Sequence, residues 1–296
     1  MPNAIIALMY DFDRTLSTQD MQNYSFIPAL GMTAEEFWSA ANKFAADNTM
    51  DGILAYMFTM VNEARKRGVT LRRETLVEMG RDIEFFPGLD GWFREINAFG
   101  ESLGVTVEHY IISSGLREII QGSAICSEFK EIFAGEFLYD ADGSPVWPKA
   151  AVNYTNKTQF IYRINKGVLD ISNDRDLNAS MPEDDKRVRF SNMIYLGDGL
   201  SDVPCMKMVK AYGGRSIAVY DPGNVRVPEK HKRVLELIAR NRVDYIYPAD
   251  YRKGSPLETT VKHIIETMAI ADILSGESHS QRDEADNELR SWDPER

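Results

Sequence analysis

Two pairs of aspartates have the residue type and spacing to do chemistry together. Asp11 and Asp13 close the apolar run Ile5-Ile6-Ala7-Leu8-Met9-Tyr10. In extended backbone, residues i and i+2 project to one side, so both carboxylates are expected to face one pocket at the C-terminal end of a strand. That is the edge at which open α/β sheets bind their ligands. Asp198 and Asp202 repeat the arrangement in "IYLGDGLSD", where Gly197 and Gly199 permit close backbone approach. Plainer roles compete: Asp is common where strands turn into loops, and Asp202 would suit the first turn of the helix that follows. Carboxylates converging on one edge repel unless a cation shares them. A hard divalent ion meets that need, because Mg2+ takes oxygen ligands from one or two carboxylates together with a substrate phosphate.

A site of this kind also needs groups that hold phosphate. "IISSGL" ends a predicted strand at Ser113, and a Ser114-Gly115 turn is expected to lead into a helix whose free N–H groups favour an anion. A plain helix cap would use the same residues. If Thr155 caps "TNKTQFIYRINKG", Lys157 stands in the first helical turn, where the macrodipole disfavours a cation. A lysine placed against that rule could neutralise a phosphoryl group and the nearby carboxylates.

The elements that must position these residues alternate along the chain. After the first strand, residues 20 to 86 carry helical periodicity: "TAEEFWSAANKFAAD" opens with Thr33 and Glu36 spaced as a capping box, and "GILAYMFTMVNEARKRG" stops on Gly68. A third helix is predicted over "RRETLVEMGRDI". Strand and helix signals then alternate: "VTVEHYIISSG", "LREIIQGSA", a hairpin around Asp142-Gly143, "SNMIYLGDG", "VPCMKMVKAYGG", "RSIAVYD", "EKHKRVLELIARN" and "VDYIYPADY". Such alternation implies a parallel sheet covered on both faces. The charged stretch 170–190 gives no clear signal, and residues 275–296 have the composition of a disordered tail.

Composition bounds the function classes. A chain of 296 residues, 44% hydrophobic, can bury a substantial core, as one large domain or a core plus a smaller one. The net charge of −11 argues against nucleic acid bound through a broad basic face, and "ARKRG" at 64–68 reads as the basic end of a helix. No apolar run approaches the roughly 20 residues that cross a bilayer, and no signal peptide is recognisable, so a cytoplasmic location and no membrane partner are expected. Cys126 and Cys205 are isolated and point to neither a disulfide framework nor a zinc site. None of the four histidines lies in a motif, and His109, alternating within a strand, reads as structural.

Taken in order, Asp-Phe-Asp-Arg-Thr at 11–15, Ser113 after a strand, Lys157 near a helix start, and Gly-Asp-Gly-Leu-Ser-Asp at 197–202 resemble the motifs of the haloacid dehalogenase superfamily. The likeness covers roughly residues 4–250. The resemblance implies a doubly wound, Rossmann-like parallel sheet core (residues 1–16 and 87–274). The insertion at 17–86 resembles the helical C1 cap of phosphoserine-phosphatase-like members. It also implies roles: Asp11 as nucleophile forming an aspartyl-phosphate, and Asp13 as general acid and base. Asp11, the backbone carbonyl of Asp13 and Asp198 match the Mg2+ ligands, with Asp202 behind them. Ser113 and Lys157, with Ser114 and Gly115 beside them, match the phosphate-holding groups. Thr15 matches a residue that orients the loop. An acid at position 13 favours phosphate-ester chemistry over dehalogenation, with a small phosphorylated metabolite as substrate. Transfer to another acceptor, a phosphomutase, or a non-catalytic phospho-acceptor are the alternatives. Asp20 stands where phosphoserine phosphatases carry a substrate-binding cap acid, whereas Arg14 replaces the small residue usual in them, and no partner arginine for a substrate carboxylate is identifiable.

Overall fold

The computed structural model describes residues 3–223 and 228–292. Its centre is a strand, β1 (Ile5–Tyr10), whose side chains alternate between two cores. Ile6, Leu8 and Tyr10 enter one hydrophobic cluster, and Ala7 and Met9 the other. Both faces are buried, which is why the sequence shows an unbroken apolar run there instead of alternation.

Seven strands form one sheet in the order β4-β3-β2-β1-β5-β6-β7. They are β2 (Thr106–Leu116), β3 (Glu131–Tyr139), β4 (Pro145–Ala150), β5 (Met193–Gly197), β6 (Arg215–Tyr220) and β7 (Tyr245–Pro248). All pairings are parallel except β3 with β4. That antiparallel pair is the expected hairpin: Gly143 turns with φ +78° and Asp140 Oδ1 accepts the N–H groups of Asp142 and Ser144. The chain moves outward through β2 and β3, then returns to place β5 on the other side of β1. Adjacent strands leaving in opposite directions open a crevice at their C-terminal ends, and the site must lie there.

Helices cover both faces. On one side lie α5 (Leu89–Ser102) and the first half of α11 (Pro256–Trp292), with Trp92, Ile96, Val261 and Ile265 buried. On the other lie α7 (Lys157–Lys166), α9 (Val203–Ala211) and α10 (Pro228–Ala239), which bury Phe160, Ile164, Met206 and Leu237. A short helix, α6 (Arg117–Gly122), follows β2, and α8 (Asp174–Asn178) with two single-turn 3-10 helices occupies the stretch that gave no sequence signal.

Between β1 and α5 the chain forms α1 (Phe26–Ala29), α2 (Ala34–Asn48), α3 (Gly52–Lys66) and α4 (Arg73–Met79). The Thr33–Glu36 capping box closes reciprocally, and Asp51 caps α3 through the N–H groups of Ile53 and Leu54. The two ends of this helical segment run side by side: Thr18 N–H donates to Glu84 O, and Phe86 N–H to Leu16 O. Phe26, Phe37, Met57 and Met60 bury against the same cluster as β1.

Three expectations need correction. The helix α11 continues through Trp292 where a disordered tail was expected from 275. Its last buried residue is Ala269, so the distal half is a solvated helix whose polar composition resembles that of a disordered segment. Residues 293–296 of that tail, and residues 1–2 of the expected core, lie outside the described residues. Second, no turn forms at Ser114-Gly115: β2 runs on to Leu116, with its register against β3 shifted between Ile112 and Leu116. An irregularity of this kind keeps the strand extended while re-aiming its side chains. Third, Thr155 does not cap α7. Asn153 accepts from the N–H groups of Thr155 and Asn156, and the helix begins at Lys157 itself.

Candidate active site

The crevice between β1 and β5 is a cavity of about 990 Å3. Asp11 extends the sheet beyond β1 by donating its N–H to Leu196 O at 2.9 Å, which fixes its carboxylate over the strand ends. Asp198 follows β5. One carboxylate oxygen from each of Asp11, Asp198 and Asp202 lies within 4.8 Å of the others.

Lys157 is fully buried among them, with Nζ 2.9 Å from Asp11 Oδ1 and 2.8 Å from Asp202 Oδ1. A lysine at a helix start costs about 0.3–1 kcal/mol against the dipole, whereas each charge-assisted hydrogen bond returns about 1.5–3 kcal/mol, so the ion pairs decide its place. Burial alone would push the ammonium pKa down. The charges of Asp11 and Asp202 overcome this and hold it above that of an ordinary lysine.

Asp202 sits at the start of α9 but caps nothing with its side chain. Its Oδ1 accepts from Lys157 and from the buried hydroxyl of Tyr195 at 2.8 Å, while Oδ2 is buried without a partner. The carboxylate occupies the space above Gly197, where a Cβ would stand 2.6 Å from the carboxyl carbon. The glycine is therefore required by contact.

Asp13 lines the same cavity as Asp11. Its Oδ1 accepts the Met21 N–H at 2.7 Å. Burial, then the charges of Asp20 and Asp11, raise its pKa well above the usual carboxylate range. Burial also pushes Asp11 up to about 6, against the pull of Lys157, and raises Asp198 well above normal, with Asp11 and Asp202 adding to it. A buried carboxylate cluster in which Asp11 and Asp198 are both pushed toward the protonated form, and in which Asp202 Oδ2 has no partner, is the donor set of a hard divalent cation. The residues present fit Mg2+.

The serines divide. Ser113 is fully buried, and its Oγ accepts the Gly115 N–H at 3.0 Å, which leaves its hydroxyl hydrogen to give. Ser114 lines the cavity with its own hydroxyl buried and unpartnered, and its carbonyl accepts from Tyr56 of α3 at 2.9 Å. At Gly115 a Cβ would stand 2.0 Å from the Met21 side chain and 3.2 Å from Asp13 Oδ2. Thr15 is buried under the loop, its carbonyl accepting from Tyr251 Oη.

Asp20 lines the cavity in a two-pronged pair with Arg14, Nε to Oδ1 at 3.0 Å and Nη2 to Oδ2 at 2.7 Å. Several lining residues carried no sequence signal. Trp38 and Tyr56, 5.8 Å apart edge to face, come from the helical segment, and His231 and Arg233 come from α10. Tyr195 reads as one more apolar strand residue, and only the fold directs its hydroxyl to Asp202. The other expected roles of histidine and cysteine are plain: His109 is buried between Tyr10 Oη and Asn97 Oδ1, and Cys126 and Cys205 are free thiols.

Residues 8–207 match the family model of the haloacid dehalogenase-like hydrolases. The chain belongs to that family. An uncharacterized protein of Borreliella burgdorferi is 28% identical over 283 residues, covering 86% of this chain and 94% of its own. Among solved structures, a HAD family hydrolase of Salmonella enterica serovar Typhi superposes with a TM-score of 0.53 at 16% identity, over 83% of this chain and 68% of its own. A phosphoserine phosphatase in apo form gives 0.51 at 15% identity, over 84% and 96%. These structural likenesses establish a shared fold: a haloacid dehalogenase-like α/β sheet with flanking helices. Among the described residues, no helix of this hydrolase-family chain is long and apolar enough to cross a membrane.

Proposed function

We propose that this protein is a Mg2+-dependent phosphatase that hydrolyses a small phosphorylated metabolite through an aspartyl-phosphate on Asp11, acting in the cytoplasm. The observation that carries the reading is the division of labour between two neighbouring aspartates. Asp11 is held by an ammonium at 2.9 Å beside two further carboxylates, while Asp13, two residues further on, is raised well above the normal carboxylate range by burial and by Asp20 and Asp11. One carboxylate is kept charged to attack, and the other is kept protonated to give a proton.

Asp11, Asp198 and the backbone carbonyl of Asp13 would hold Mg2+, with Asp202 behind them. When bound, the ion neutralises charge on the carboxylates and on the phosphoryl oxygens. An Asp11 oxygen attacks phosphorus, the bond from phosphorus to the ester oxygen breaks, and Asp13 gives its proton to that oxygen. Asp13, now a carboxylate, takes a proton from a water that attacks phosphorus, and the bond to Asp11 breaks to release phosphate. Lys157 and the hydroxyls of Ser113 and Ser114 would hold the phosphoryl oxygens as charge shifts onto them. The raised pKa of Asp13 sets a sign: the proton-donating form is lost as pH rises through it.

The test is phosphate release from a panel of small phosphate esters, with Mg2+ and with chelator, for wild type and Asp11→Asn. Metal-dependent release that disappears in a folded Asp11→Asn variant is expected, and an active variant would overturn the reading. Released phosphate that fails to account for the ester consumed would indicate transfer to another acceptor.

A further inference from the structure

The loop that carries both aspartates also carries a cation that the proposed chemistry does not use. Arg14 follows Asp13 directly and has φ +59°, in the left-handed region that a long side chain rarely adopts. Neighbouring structure enforces it: the N–H groups of Leu16 and Ser17 both reach back to Phe12 O, so the loop closes tightly around Arg14. Such backbone strain collects where a side chain must be aimed. The side chain lines the cavity with about half its surface (52%) exposed.

Its guanidinium has two edges that can grip a carboxylate. Asp20 occupies the Nε/Nη2 edge. The Nη1/Nη2 edge has no further protein partner among the described residues on its Nη1 side. Asp20 thus fixes the plane of a group that lines the cavity and leaves its Nη1 side without a hydrogen bond among the described residues, with the charges of Asp198 and Asp13 acting on it as well. A fork of this geometry matches a carboxylate, which an ammonium would meet only as a point charge. Position along the chain indicates what would bind there. If Asp13 protonates the leaving oxygen, the leaving group lies on the Asp13 side of the phosphorus, and the next residue on that side is Arg14.

We infer that Arg14 is a specificity residue that selects phosphate esters whose leaving group carries a carboxylate, with Asp20 as the positioning residue that orients it. This rests on the phosphatase reading for the role of the ester, but recognition of the carboxylate is measurable apart from turnover.

The experiment uses a matched pair, 3-phosphoglycerate and glycerol 3-phosphate, which differ only in carboxylate against hydroxymethyl. For wild type, kcat/KM is expected to favour 3-phosphoglycerate. In Arg14→Ala that preference should fall by roughly ten- to a hundredfold, the size of one lost charge-assisted contact. Arg14→Lys should restore part of it, and Asp20→Asn should lie between wild type and Arg14→Ala. Calorimetric titration of both esters into Asp11→Asn, with and without Arg14→Ala, reads the same preference without hydrolysis. Absence of turnover would therefore count against the phosphatase reading alone, while the binding preference still decides the role of Arg14. Equal handling of the two esters by wild type, or an equal loss for both in Arg14→Ala with Arg14→Lys no better, would overturn the inference.

Discussion

Replacing Lys157 by methionine is the sharpest test of how the site is held together. The substitution keeps the length of the side chain and removes only its charge and donors. Asp11 and Asp202, each within 2.9 Å of the ammonium in the wild type, would be left facing each other in a buried pocket. Breaking a buried pair by removing one partner costs about 3–5 kcal/mol. At roughly 2.1 cal/mol/K per residue, a chain of 296 residues has an unfolding entropy near 0.6 kcal/mol/K, so Tm should fall by about 5–8 °C. The assay is thermal unfolding in chelator across pH. Asp11 is relieved by taking up a proton, so the deficit against wild type should be largest at neutral pH and shrink as pH falls below about 6, where Asp11 titrates even in the wild type. Adding Asp202→Asn should recover part of the loss, because the two changes are coupled through one network. A Lys157→Met protein as stable as wild type at neutral pH, or a deficit that ignores pH, would refute this account of the site.

Other outcomes follow from single contacts. Tyr195→Phe removes the second donor to Asp202 Oδ1 and should cost about 1.5–3 kcal/mol, measured by denaturant unfolding. Gly197→Ala puts a methyl 2.6 Å from the Asp202 carboxyl carbon and should reduce phosphate release sharply by displacing that side chain. In chelator, wild-type stability should decline relative to Asp11→Asn as pH rises from about 4 to 6. The folded pKa of Asp11 is raised, so its contribution is complete below the unfolded value of 3.8 and is lost through about 6. Truncation after Gly276 should leave Tm within about 2 °C, because the last buried residue of α11 is Ala269 and the described residues beyond Gly276 are exposed apart from the half-buried Ser278.

Much of the site was legible in the sequence because its chemistry is local. The pairs Asp11/Asp13 and Asp198/Asp202 sit at strand ends that an apolar run marks out, and Lys157 betrayed itself by standing where a helix disfavours a cation. Asp202 illustrates the limit. Sequence offered a helix cap or a site residue, and the choice fell to a lysine 45 positions away that took its carboxylate. Arg14 and Asp20 were visible separately, one as an odd residue and the other as a candidate acid, but their pairing needs a turn whose φ no spacing rule supplies.

By itself, the sequence determined the alternation of strands and helices, the helical segment after β1 and the set of carboxylates, since periodicity, caps and strand-end acids are properties of neighbouring residues. The tertiary structure alone decided the reversal of strand order that opens the crevice between β1 and β5. It also decided the burial that raises Asp13, the hydroxyl of Tyr195 on Asp202, and the strand that carries past Ser114 to Leu116. Each of these depends on groups far apart in the chain sharing a water-poor space. There, one misplaced charge costs several kcal/mol, a term that no local pattern records.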